Sequence, residues 1–232
     1  MSSESRPIQP GPIQDQIAYW NDEAGAFWVA RQEAQDVTLA PVGQAAFDRA
    51  GIRSGETVID IGCGCGATTV ELARRVGDTG RVLGIDVSRP MLARARERTR
   101  AMANVTLAEA DATTHPFEPG RADLLFSRLG VMFFADPPKA FANLRSALKP
   151  GGRLAFACFR APQLNPFFTT ALRAATEFVP PPPKMEPGAP GPFAFAEEPH
   201  VRRILDTAGF QEVKLEPVDL MLDAGSGKGL EE

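Results

Sequence analysis

The chain has 232 residues, 44% of them apolar and 23% charged, with a formal net charge of −4; this is the profile of one globular domain with a real core. That balance gives no general pull toward nucleic acid or an anionic membrane, and no run of about 18 apolar residues offers a spanning helix. Three cysteines make no disulfide framework, and the N-terminus lacks the basic and apolar runs of a secretory signal, so the expected setting is reducing and cytoplasmic.

Residues 1–50 form the first expected unit, a helical segment in which Tyr19, Trp20 and Trp28 fall close together. The period changes at Glu56. "TVIDI" is a short apolar strand, and "TTVELARRVG" is a helix with Val70, Ala73 and Val76 on one face. "RVLGIDV" is a second strand, followed by a helix, "SRPMLARARERTRAMA", with Ser88 as N-cap and Pro90 in its first turn. "VTLAEA" is a third strand and "ADLLFSRLGVMFF" contains a fourth. "DPPKAFANLRSALKPGG" is a helix ending at glycines, and "RLAFACF" is the fifth strand. Strands alternating with helices imply an α/β fold: a doubly wound, mostly parallel sheet with helices on both faces. Residues 51–160 make this core. Residues 161–232 add a helix ("NPFFTTALRAATEFV"), a proline-rich loop, a helix ("EEPHVRRILDTAGF") and a sixth strand ("QEVKLEPVDLML") to the same domain.

The informative stretch is "VIDIGCGCGATTVELA". In an open parallel sheet ligands bind beyond the carboxyl ends of the strands, and glycines there let a ligand approach the backbone. Gly62, Gly64 and Ala67 match the nicotinamide-dinucleotide pattern G-x-G-x-x-A, which alone is weak. Asp60 decides against it. A carboxylate at the tip of the first strand repels a diphosphate but attracts the ammonium and sulfonium of S-adenosylmethionine. Asp86, ending the second strand, is placed to accept both ribose hydroxyls, and Asp111, past the third, to reach an adenine amino group. Three acidic residues at three successive strand ends suit a cofactor without phosphate.

"VIDIGCGCG", "GIDVSRPML", "EADAT" and "ADLLFSRLGVMFF" with "LRSALKPGGRLAF" resemble, in order and spacing, the motifs of class I S-adenosylmethionine-dependent methyltransferases. The small-molecule branch that includes the quinone-biosynthesis enzymes is the most similar. The resemblance implies a Rossmann-like methyltransferase fold, in-line methyl transfer to a small-molecule acceptor, and roles for individual residues. Gly62, Cys63, Gly64 and Gly66 would line the methionine end, with Asp60 facing its amino group. Asp86 would hold the ribose, Val87 and Met91 the adenine, and Asp111 and Ala112 the adenine edge. Ser127 and Arg128 would lie beside the sulfonium, and the N-terminal segment with Trp20 would fold over the cofactor. Tyr19, His115 and Arg128 are the polar groups for a catalytic or orienting role, since no general base is identified and one is needed only for a protonated nucleophile.

Other features read as structure. Cys63 and Cys65 are small residues in a tight turn, since zinc wants four ligands and none stands at ligand spacing, so no metal is expected. Asp136 and Pro137 cap a helix, and "RARERTR" is a solvated face beside the buried stripe of Met91, Leu92, Ala95 and Met102. The resembled fold closes with an antiparallel strand between the fifth and sixth. "DAGSGKGLEE" is too short and glycine-rich for it, so a truncated chain or a partner-supplied strand is expected. A nicotinamide-dependent oxidoreductase and a non-catalytic cofactor-binding protein stand as alternatives. The acceptor and the oligomeric state are not readable.

Overall fold

The computed structural model describes residues 13–166, 168–170 and 188–223. Most of the helix expected from Asn165, most of the proline-rich stretch and the glycine-rich end lie outside them.

Three helices come first: α1 (Ile13–Asn21), α2 (Glu23–Ala30) and α3 (Gln32–Ala50). Alternation follows as the apolar runs foretell: β1 (Thr57–Ile61), α4 (Ala67–Val76), β2 (Arg81–Asp86), α5 (Arg89–Thr99), β3 (Val105–Glu109), β4 (Ala122–Arg128), α6 (Pro137–Ser146), β5 (Leu148–Ala157) and α7 (Glu198–Thr207). The strands form one parallel sheet in the order β3-β2-β1-β4-β5. β1 lies at its centre, where the winding reverses, which is where such sheets bind ligands.

Strand residues alternate between two cores. Val58, Val82, Leu124 and Phe126 face α3 and α4, where Phe47 stacks on Phe126 at 4.8 Å. Ile59, Ile61, Ile85 and Leu125 face α6 and α7, around Phe141 and Phe195. Burial on both faces explains why these strands read as continuous apolar runs. β5 starts earlier than its apolar run: Leu148 already pairs with Ala122. A register break absorbs "KPGG" before Arg153 pairs with Leu124, with Gly151 at φ 78°.

Two expectations need correction. The sixth strand does not form. Val213 and Leu215 pack on the core, but side chains anchor the segment: Arg202 donates to the Val213 carbonyl at 3.0 Å, Arg49 pairs with Glu216, and Thr38 donates to the Asp223 carbonyl. Pro217 has no N–H for a ladder, Met221 is 92% exposed, and β5 pairs with no described strand but β4. "RARERTR" is not simply solvated either. Arg98 pairs with Asp36 of α3 at 2.8 Å and donates to the Cys65 carbonyl, while Arg94 donates to Gln32. Four-residue spacing puts both arginines on the side of α5 that meets Gln32 and Asp36 at the start of α3.

The capping expectations divide. Asp136 accepts from the Lys139 N–H at the start of α6, with Pro137 at its first position. Ser88 occupies the N-cap of α5 without capping it: its hydroxyl donates to the Trp20 carbonyl at 2.7 Å.

Candidate functional site

The turn after β1 carries three glycines in left-handed conformation, Gly62 (φ 66°), Gly64 (φ 53°) and Gly66 (φ 82°). At two of them a side chain would meet a neighbour, fixed backbone at Gly62 and a movable methyl at Gly64. A Cβ at Gly62 would lie 2.8 Å from the Gly130 Cα, and one at Gly64 would lie 2.8 Å from the Met91 methyl. The backbone is held from both sides: Gly62 and Cys63 donate to the Ile85 carbonyl, and Gly66 donates to that of Cys63.

Asp60 is fully buried. Its Oδ2 accepts from Thr68 at 2.7 Å and Thr69 at 2.6 Å, while its Oδ1 has no partner among the described residues. Burial pushes its carboxyl up to about 6, against the pull of the two hydroxyls and of nearby Arg128. Thr68 and Thr69 went unnoticed in the sequence, although "ATT" directly after the last glycine places two hydroxyls in the first turn of α4.

Asp86 ends β2 half-buried. Its carboxylate accepts from the Gly64 N–H at 2.7 Å and the Ser88 N–H at 2.9 Å; burial raises its pKa and these backbone bonds oppose the rise. It therefore shapes the glycine turn. Asp111 follows β3 and folds onto its own turn, accepting from the Thr113 N–H at 2.8 Å. Ala112 is buried in the core with Ile85, its carbonyl taken by Asn143, and Met91 lies over Gly64.

The tip of β4 touches the glycine turn. Ser127 donates to the Ile61 carbonyl at 2.8 Å and accepts from the Gly130 N–H, and Leu129 between them is held at φ 65°, a strained conformation for that residue. Arg128 is half-buried beside α3. A Cβ at Gly43 would lie 3.5 Å from its Cδ. Burial lowers its pKa, and the fields of Asp36 and Asp60 work against that.

The aromatic residues of α1 and α2 bridge two strand tips. The Trp20 ring meets Tyr19 and Phe133 edge-on, both at 5.2 Å, and Trp28 at 6.4 Å. Asn21 donates to the Val87 carbonyl and accepts from the Arg89 N–H. Burial raises the Tyr19 phenol, so it is neutral at pH 7. Gln16 on α1 has a buried Oε1 without a partner among the described residues.

His115 does not join this group. It stacks edge-on with Phe117 at 4.8 Å and lines a cavity of about 530 Å³ with Thr57, Arg81, Thr106 and Lys149. Thr57 and Arg81 begin β1 and β2, so the cavity opens at the end of the sheet opposite the glycine turn. The loop after β3 carries His115 back there, away from the glycine turn. Among the described residues no cluster of three metal-ligating side chains occurs.

Residues 58–152 match the family model described as methyltransferase domain. The ubiquinone/menaquinone biosynthesis C-methyltransferase of Enterobacter sp. (strain 638) is 37% identical over 123 residues, 52% of this chain and 49% of that protein. The chain thus spans about half the length of the quinone-enzyme relatives it matches. Among solved structures, Haemonchus contortus phosphoethanolamine N-methyltransferase 2 in complex with S-adenosyl-L-methionine aligns with TM-score 0.56 and 25% identity. The alignment covers 76% of this chain and 38% of that one. A SAM-dependent methyltransferase from Aquifex aeolicus shares the fold over 88% of this chain and 89% of its own (TM-score 0.55, 21% identity). With the glycine turn, the acidic strand tips and the sheet order in place, residues 58–152 of this chain match a methyltransferase domain and resemble the class I S-adenosylmethionine-dependent methyltransferases, the quinone-biosynthesis enzymes among them.

Proposed function

We propose that the chain transfers a methyl group from S-adenosylmethionine to a small-molecule acceptor. The observation that carries this is the state of Asp60: a buried carboxylate with one oxygen that has no partner among the described residues, beside a turn of three left-handed glycines. An isolated buried charge is costly, and a ligand ammonium would relieve it. A diphosphate would worsen it, which disfavours a nicotinamide dinucleotide.

The cofactor supplies the electrophilic methyl when bound, and the chain's residues bind, orient and exclude water. Asp60 receives the amino group; Gly62, Cys63, Gly64 and Gly66 line the methionine end. Asp86 adds the ribose hydroxyls to its two backbone donors, while Val87, Met91, Asp111 and Ala112 surround the adenine. Trp20 and Tyr19, on the 1–50 segment, form a lid over the 51–160 core, and 161–232 completes the acceptor side of the same domain. Tyr19 acts there as a neutral hydrogen-bonding group, and Ser127 holds the strand tip beside the methyl. No nucleic-acid or membrane-inserted partner is part of the reading. No described helix is long and apolar enough to cross a membrane, the three cysteines are free, and we assign the protein to the cytoplasm. The relatives' name, a C-methyltransferase of ubiquinone and menaquinone biosynthesis, makes carbon atoms of quinone precursors the first acceptor class to test.

Titration calorimetry with S-adenosylhomocysteine and with nicotinamide dinucleotides tests the cofactor. Binding of the former alone is the expected result, and dinucleotide binding would overturn the reading. Methyl transfer to an acceptor panel, read with labelled cofactor, tests catalysis. Cofactor binding with no transfer to any acceptor would favour a non-catalytic binding protein.

A further inference from the structure

We propose that the cavity beneath the amino-terminal ends of the strands is a binding site for a monocarboxylate with an apolar body, its carboxylate received by Arg81. The cavity lies at the end of the sheet opposite the glycine turn, so its occupation is separate from methyl transfer.

The cavity exists because one crossover lacks a helix. Helices follow β1, β2 and β4 before the next strand begins, whereas residues 110–121 join β3 to β4 with none. A parallel sheet is normally covered on both faces. Further along this face α6 and α7 close over the sheet around Phe141. Toward the strand starts the loop sets only Phe117, with His115 edge-on to it at 4.8 Å, against Ile59 and Leu83. The cavity that results, about 530 Å³, has the size of a small-molecule site. The loop is pinned: Asn143 of α6 donates to the carbonyls of Ala112 and His115 at 2.9 and 3.0 Å, and the His115 N–H donates to the Asp111 carbonyl. A preformed wall lowers the cost of filling the space.

The lining divides by chemistry. Ile59, Leu83, Phe117 and Ala122 make an apolar floor, with Arg81, Arg121 and Lys149 around it. Arg81 stands opposite Thr57, and Leu83, on the same face of β2 as Arg81, lies between Ile59 and Thr106. Lys149 is engaged by Asp123 at 2.7 Å and Arg121 by Glu118 at 3.1 Å. Arg81 has no carboxylate partner among the described residues, and the Thr57 and Thr106 hydroxyls and the His115 ring make no hydrogen bond there. Arg81 is therefore the uncompensated charge at the cavity. A single such charge beside an apolar floor suits a singly charged anion. The carboxylates of Asp123 and Glu118 oppose a dianion such as a phosphate ester, while a planar guanidinium matches the two oxygens of a carboxylate. The acid group sits on Arg81 beside Thr57, and the apolar body lies on Leu83, Ile59 and Phe117.

The test is an NMR titration of the full, isotope-labelled chain with naphthoate and with its neutral counterpart, naphthylmethanol. Wild-type protein is expected to bind naphthoate saturably, with shifts centred on the amides of Leu83, Thr106 and Phe117, and about tenfold more tightly than the alcohol. Arg81→Met should bring naphthoate down to the level of the alcohol, and Arg81→Lys should keep part of the preference. Saturating S-adenosylhomocysteine should leave naphthoate affinity unchanged. Arg81 is exposed at a strand start, and thermal melting checks that its variants are folded; should Arg81→Met not fold, the wild-type shift map and Arg81→Lys still decide. No saturable shift by about 1 mM naphthoate, shifts confined to the glycine turn, displacement by S-adenosylhomocysteine, equal binding of the two probes, or a preference that survives Arg81→Met overturns the proposal.

Discussion

Asp60 ties stability to pH through its proton, and under the proposed function it ties cofactor binding to pH as well. Its carboxyl titrates near 6 in the fold, against 3.8 unperturbed. A raised acid holds its proton in the native state after the unfolded chain has lost it, so stability falls as pH rises through that window. The difference, about two pH units at about 1.4 kcal/mol each, is a loss of roughly 3 kcal/mol between pH 4 and 6. Urea denaturation across this range should show it, and Asp60→Asn should remove that component. Ligand ammonium favours the charged carboxylate, so S-adenosylhomocysteine affinity should rise as pH increases through about 6 in wild type and lose that dependence in Asp60→Asn. A flat wild-type profile would detach Asp60 from the cofactor. Asp86 behaves differently. Its carboxylate holds the Gly64 and Ser88 N–H groups, so Asp86→Ala should weaken cofactor binding and also cost about 1–3 kcal/mol of stability. Calorimetry and a chemical melt separate these losses. The sequence shows a strand-end carboxylate suited to ribose hydroxyls but not the N–H groups that converge on it.

The N-terminal helices dock through backbone contacts at small residues. Ser88 gives its hydroxyl to Trp20, Asn21 clamps Val87 and Arg89, and Gly25 passes so close that a Cβ would lie 2.2 Å from the Trp20 carbonyl and 2.7 Å from Pro90. Gly25→Ala should therefore undock α1 and α2, visible as faster amide exchange over residues 13–30 and weaker S-adenosylhomocysteine binding, while the sheet keeps its protection. Unchanged exchange would mean that these helices are no lid. At this scale sequence reading worked where one element's own residues decide it. β1 and the Asp136–Pro137 start of α6 depend on local apolar runs and capping chemistry. It failed where a neighbour decides. Arg94 and Arg98 look solvated until α3 is laid across them, and the Ser88 hydroxyl looks like a cap until Trp20 claims it.

Across the whole molecule, stability rests on two cores separated by the sheet. Phe141 is wholly buried amid Phe134, Phe156, Phe195 and Phe210, away from the face that carries Asp60 and Arg128. Phe141→Ala should cost about 3–5 kcal/mol in denaturant midpoint while leaving cofactor affinity of the folded protein unchanged. A matching loss of affinity would show the two faces to be coupled.

The sequence by itself determined the strand and helix order of residues 57–157 and the chemical character of the site. Strand burial writes itself into apolar runs, and carboxylates at successive strand ends follow from chain order alone. Only the tertiary structure decided which of those groups stay unsatisfied, that His115 returns to the far end of the sheet, and that 213–223 is anchored by side chains with no ladder of its own. Each of these depends on what an atom meets across the fold, and such meetings join residues separated by tens of positions along the chain.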